Sequence, residues 1–404
     1  MKINLVRLFN SLDPKATFKK EDDQFIEDIN NELFEDDIEL VSSDLDNKCS
    51  IVFIETGGSE QHFIKIEKDL PRPIVLLSTC KNNSLPACFE IKTYLQDHNN
   101  EDAIIVFGNE KDVAYTIKDI AKLMNAKTKI DNSNLGVIGE PSDWLIASKV
   151  DKNEVKRIFN INLIDIPSSE LKEEIFKGKL DYIPKLDQIN ELGKDNEYLN
   201  GALLIYSGIK RLIEKYNLSG FTIRCFDLIE EYKNTACLAL ALLNDEGIVG
   251  TCEGDVPSML TMYFIKCLTG QVSFQANPSK IDIREHTLLL AHCTIPLSMT
   301  KNTTFMTHFE SGLGIGIRGD LDCRDISIIK LAPDLKHTLF ISAQITKNLK
   351  LTNYCRTQIE VKLEEEDLYN ILRSDFGNHL IIAYDNIIGE FLNLIHFYTQ
   401  KEKE

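Results

Sequence analysis

The sequence predicts an α/β fold: two doubly wound parallel-sheet (Rossmann-like) domains followed by a β-rich, barrel-like C-terminal domain. Three observations carry this expectation. Short continuous apolar runs alternate with helix-spaced segments up to residue 270, as βα units do. Beyond 270 strand-like runs follow one another with few helices between them. The 404 residues suffice for two or three domains, each with its own core.

In chain order, "INLVRLF" (3–9) reads as a strand and "DDQFIEDINNELF" (22–34) as a helix, with Phe25, Ile26, Ile29 and Leu33 on one face. "SIVFIET" (50–56) and "PIVLLST" (73–79) have no polar alternation, as strands buried on both faces require. "NSLPACFEIKTYLQDH" (83–98) is a helix with Ser84 as its cap and Pro86 in its first turn. A strand at 102–108 and a helix at 110–126 complete the series, and the polar "KIDNSN" (129–134) breaks it. A second series opens at "LGVIG" (135–139). It continues through a strand at 159–166, a helix near 196–216, a strand at 220–226, a helix at 235–245 and a helix after Asp255. "QVSFQA", "TLLLAHC", "DISIIKLAP", "HTLFISAQIT" and "QIEVKL" are then strands, and an apolar helix at 386–397 precedes the charged tail "KEKE". The expected domains are 1–132, 133–270 (carrying Glu253) and 271–404 (carrying His292 and His379).

The composition narrows the function. Hydrophobic residues make up 43% of the chain, so it packs a core rather than staying disordered. A net charge of −18 argues against nucleic acid or an anionic membrane as partner, since both need clustered Lys and Arg. The 10 cysteines form no CxxC pair and lie mostly in apolar runs, which points to a reducing cytoplasm. "MKINLVRLFN" reads as a strand and not a targeting segment, and no window of about 18 residues is apolar enough to span a bilayer.

"TCEGDVPSMLTM" (251–262) holds the most pointed chemistry. A strand ends there and a helix begins, the edge of an open α/β sheet at which ligands bind. Asp255 is placed to cap the helix. One cap suffices, so Glu253 is left as a ligand or acid/base group, or as a structural acid. His292 and His379 each stand at a strand end, where they are structural residues or, with a carboxylate, an N/O site of the kind that suits Mn²⁺. No HExxH or zinc spacing occurs. "GIGIRG" (314–319) matches a dinucleotide fingerprint only literally, because no helix follows, and it reads as a glycine-rich loop or bulge. Asn83 and Ser84 either bind a sugar hydroxyl or only turn and cap. Trp144, the only tryptophan, either stacks on a sugar or packs inward behind a helix capped by Ser142 or Asp143.

The order "NNSLPACFEI", "IGEPSDWLIAS", "TIRCF", "CEGDVPSMLTM", "LAHC", "GNHLIIAYD" resembles the L-fucose isomerase and L-arabinose isomerase superfamily, in its shorter fucose isomerase-like branch. The resemblance spans about residues 50 to 385. It implies a metal-dependent aldose–ketose isomerase, acting through an ene-diol with one divalent ion, usually Mn²⁺. It also implies a homo-oligomer, hexamer or trimer, with a small-molecule sugar as its partner. Glu253 would match the first metal carboxylate, His379 the metal histidine and His292 a further histidine of the arabinose branch. Asn378, Trp144 and Arg224 would hold sugar hydroxyls, although Arg224 equally suits an ion pair.

The second metal and catalytic carboxylate falls on Asn277, a departure from the family pattern. An amide oxygen coordinates but cannot serve as a base near neutrality. Either Glu253 does the proton work with the metal held by Glu253, Asn277, His379 and His292, or Asp282 takes the place. The alternative is a catalytically degenerate sugar-binding or regulatory protein on the same fold.

Overall fold

The computed structural model describes residues 1–10, 19–42, 50–99 and 103–399. The expectations placed on Cys49 and on the "KEKE" tail lie outside these residues. The chain divides into two compact units, 1–127 with 393–404, and 128–392.

The first unit holds β1 (Lys2–Leu8), α1 (Lys19–Leu33), β2 (Glu39–Val41), β3 (Ser50–Ile54), α2 (Glu60–Ile66), β4 (Ile74–Ser78), α3 (Ser84–Asn99), β5 (Ala103–Val106) and most of α4 (Glu110–Ile130). Its parallel sheet runs β2-β1-β3-β4-β5. Side chains alternate faces along a strand. Ile51 and Phe53 therefore meet Ile26, Ile29 and Ile117, while Val52 and Ile54 meet Phe63, Ala87 and Leu95. Burial on both faces is why these strands read as unbroken apolar runs.

The second unit opens with β6 (Asn134–Ile138), α5 (Lys152–Phe159), β7 (Asn162–Ile166), α6 (Ser168–Phe176), α7 (Leu186–Leu192), α8 (Leu199–Tyr216), β8 (Gly220–Ile223), α9 (Phe226–Tyr232), α10 (Cys237–Asp245), β9 (Val249–Cys252) and α11 (Val256–Thr269). The parallel order is β7-β6-β8-β9. There follow β10 (Phe274–Asp282), β11 (Thr287–His292), β12 (Asn302–Met306), β13 (Gly316–Asp320), β14 (Asp325–Leu331), β15 (Thr338–Asn348), β16 (Thr357–Lys362), α12 (Glu365–Arg373), β17 (Leu380–Tyr384) and the start of α13 (Ile388–Thr399). Six of these strands close an antiparallel barrel, β10-β11-β16-β15-β14-β17. One apolar core runs from Leu240 and Phe221 under the parallel sheet to Ile328 and Ile382 in the barrel. The Gln275 side chain stitches the two together, accepting from Cys252 N at 2.9 Å.

Three local expectations change. Residues 316–319 of "GIGIRG" form a strand paired with β12, not only a loop. Residues 140–149 form no helix, so neither Ser142 nor Asp143 is a cap there. Cys80 and Cys323 are exposed rather than buried, and the described cysteines are free thiols. Among the described residues no helix is long and apolar enough to cross a membrane.

Candidate metal and active site

Strand register gathers the residues. Asn277 lies opposite Ala291, one residue before His292 on β11. Its neighbour Ala276 lies opposite Leu380, one residue after His379. Three adjacent barrel strands thus bring Asn277, His292 and His379 to one end. The turn between β9 and α11 brings Glu253 to the same place, and His292 and His379 cross at a ring separation of 5.4 Å. Ligand atoms of Glu253, His292 and His379 all lie within 4.8 Å of one another.

The turn is shaped for this. Glu253 has φ +67° and Gly254 φ +74°, and left-handed backbone is costly for a glutamate. A Cβ on Gly254 would stand 2.6 Å from the Glu140 carbonyl oxygen, so only glycine lets the two chains approach. Asp255 then caps α11, accepting from Ser258 N at 2.9 Å, as its position predicted.

Asp255 does more than cap. It is buried against Lys330, whose ammonium donates to it at 3.0 Å, and it accepts from His379 Nδ1 at 2.8 Å. A carboxylate only accepts, so in the neutral imidazole the hydrogen sits on Nδ1 and Nε2 keeps its lone pair. That Nε2 is buried with no hydrogen-bond partner, as is Nδ1 of His292. Glu253 Oε1 stands 3.5 Å from the free Nε2 of His379 and 3.9 Å from Nε2 of His292. Its other oxygen accepts from the Trp144 indole N–H at 2.8 Å. The orphaned, buried Nε2 of His379, with a buried carboxylate 3.5 Å away, fits a divalent cation of the N/O-binding kind.

The charges respond accordingly. Burial alone would raise the Glu253 carboxyl, but His379, His292 and Trp144 outweigh it and bring it to about 2. Burial pushes His292 down to about 4, so its imidazole stays neutral. Burial works against the charged form of His379 too, yet Asp255 and Glu253 raise it above its ordinary value. Asp255 is buried, yet Lys330 and His379 hold it well below the usual carboxylate range.

The remaining residues divide. Asn277 lines the same cavity as Glu253 and His292. Trp144 is half-exposed, edge-on to Phe226 at 4.6 Å, and its indole N–H aims Glu253. Asn378 has a buried, unpartnered Oδ1 beside His379. Arg224 spends its guanidinium on Asp227 at 2.9 Å, Asp143 at 3.0 Å and the Pro141 carbonyl at 2.9 Å, the ion-pair alternative. Asn83 and Ser84 belong to the first unit; Asn83 is exposed, and the Ser84 hydroxyl is buried on Ile54 O and Ser78 Oγ. Asp282 is at the opposite end of β10, where its Oδ1 caps the turn through Arg284 N at 3.1 Å, so it does not replace Asn277.

Lys330, His308 and Glu310 escaped sequence reading. A lysine inside the apolar "ISIIKLAP" was a usable signal, since fully buried lysines need a partner. His308 and Glu310 lie in a turn whose sequence carries no periodicity.

The class of protein comes from its relatives. Over most of its length the chain is similar to the sulfoquinovose isomerase of Priestia aryabhattai, 21% identical and covering 86% of this chain and 85% of that protein. It is similar also to the sulfoquinovose isomerases of Clostridium sp. (strain MSTE9), 21% identical over 80% of this chain, and of Alkalicoccus urumqiensis, 23% identical over 48%. These relatives support a sugar isomerase family, and the chain is an isomerase enzyme. No family model matches the chain.

Proposed function

We propose that the chain is a metal-dependent aldose–ketose isomerase of the fucose and arabinose isomerase kind, with sulfoquinovose first among the aldoses to try. The observation that carries this reading is the convergence of Glu253, His292 and His379, with two imidazole nitrogens left unpartnered. In this reading those three and the Asn277 amide oxygen hold one divalent ion, Mn²⁺ by choice of donors. A bound divalent ion would polarise the carbonyl and neighbouring hydroxyl of the sugar and acidify the proton at C2. Asp255 fixes the His379 ring, Trp144 fixes Glu253, and Asn378 reaches a sugar hydroxyl. The reaction moves the C2 proton to C1 and the O2 proton to O1 through an ene-diol. Asn277 cannot carry a proton in this traffic, so a carboxylate must.

The same reading divides the chain at 132 and 270, makes it a homo-oligomer, trimer or hexamer, and places it in the cytoplasm. Stripping metal, adding Mn²⁺ and assaying an aldose panel that includes sulfoquinovose tests it, with ketose formation expected. No turnover by a folded chain that takes up no metal would overturn it. Asn277 favours one second reading, a sugar-binding regulatory protein. Activity that arises only in Asn277→Asp would support that one.

A further inference from the structure

We propose that Glu310 is the carboxylate that carries the proton between C2 and C1, acting across the cavity from Glu253, His292 and His379. This rests on the isomerase reading above. Glu310 lines the cavity that Glu253, Asn277 and His292 also line. It sits in the turn between β12 and β13, exposed at the rim, where a carboxyl can trade protons with water.

Elimination favours it. One Glu253 oxygen accepts from Trp144, and the other, 3.5 and 3.9 Å from the two imidazoles, would hold the metal in the reading above. Asn277 has no titratable proton. Of the cavity's described carboxylates that leaves Glu310, whose side chain has neither hydrogen bond nor ion pair among the described residues. The turn itself is pinned. Arg356 donates to the Thr307 carbonyl at 2.6 Å, and buried His308 holds Ser311 Oγ at 3.2 Å. His308, Glu253 and Cys293 line the same cavity as Glu310 and act on its charge. Partial burial and the Glu253 charge raise its proton affinity against the pull of His308, in the direction a base needs.

The step balances. The C2–H bond breaks, its proton goes to a Glu310 oxygen, and its electron pair becomes the C1=C2 bond. O1 takes the proton that O2 gives up. Glu310 then returns its proton to C1, and C2=O forms.

The test uses the full chain loaded with Mn²⁺ and an aldose that the wild type turns over. Glu310→Gln should lower kcat by about 10²–10⁴-fold, the usual worth of a positioned base. KM and bound Mn²⁺ should stay unchanged, the acid limb of the kcat/KM pH profile should vanish, and exchange of the C2 proton with D₂O should slow in step. Glu310→Asp should recover part of the rate. A Gln variant within three-fold of wild type, with the same pH profile, would overturn the role of Glu310 and leave the isomerase reading standing. A wild type that turns over no aldose would sink both.

Discussion

Each unit places a buried glutamate just past the end of a parallel strand, and the two are handled in opposite ways. Glu55 follows β3 and is 2% exposed; Glu253 follows β9 and is 8% exposed. Glu55 accepts from Arg7 Nε at 2.6 Å, with Asp23 on the same guanidinium. A fixed cation already neutralises it, and a buried charge so paired has little left for a ligand. Among the described residues Glu253 faces no Lys or Arg at hydrogen-bond distance but two imidazoles, one with its free nitrogen aimed at the acid. The identity of the partner thus separates an acid that closes a structure from one that, in the proposed reading, holds a cation.

The sharpest way to break this contrast is to remove each acid in turn. Glu253→Gln should strip bound Mn²⁺ and lower turnover by about 10³-fold or more, as loss of an ion that activates the substrate does. Glu55→Gln should leave metal content intact and only soften the fold. Metal analysis of the two purified variants decides it, and metal loss in the Glu55 variant would erase the distinction.

Much of this was legible in the sequence. Strands buried on both faces announce themselves as continuous apolar runs, so "SIVFIET" and "PIVLLST" fell where expected. Asp255 as a helix cap needs only local spacing, and the structure has that bond. Contacts across long sequence separations were not legible. The Trp144–Glu253 bond spans 109 residues, and the Lys330–Asp255 pair spans 75. Nor does any pattern mark Glu310, because turn residues that close a cavity obey no period. The left-handed turn at Glu253 was half visible, in the glycine that follows it.

The second contrast is between the cations that balance the two clusters. Lys330 is 1% exposed beneath Asp255, whereas the Arg7 side chain is 22% exposed. Lys330→Met should cost about 3–5 kcal/mol, because it takes the lysine charge away from a buried carboxylate. Arg7→Met should cost less, about 1–2 kcal/mol, since water reaches the guanidinium itself and its second partner Asp23. Urea unfolding of both variants measures the difference, and equal losses would refute the idea that burial sets the value of the pair. Trp144→Phe comes next. It keeps the edge contact with Phe226 but removes the N–H donor to Glu253, and Mn²⁺ affinity should fall about 10–100-fold with stability unchanged.

The smallest effect separates the clusters by pH. Burial and the charge on Glu55 raise Asp22 of the first unit to about 6. Between the unfolded value near ~4 and 6 the folded state binds more protons, so this group's contribution to stability falls as pH rises through that window. His292 is lowered to about 4, so between 4 and its unfolded value near ~6.5 the unfolded state binds more protons. Its contribution is complete above ~6.5 and is lost as pH falls toward 4. Asp22→Asn should remove the first slope and His292→Gln the second, each on the order of 1–2 kcal/mol between pH 4 and 7 in metal-free chain. Stability curves that change in the same direction for both variants would show that the two clusters are not electrostatic opposites.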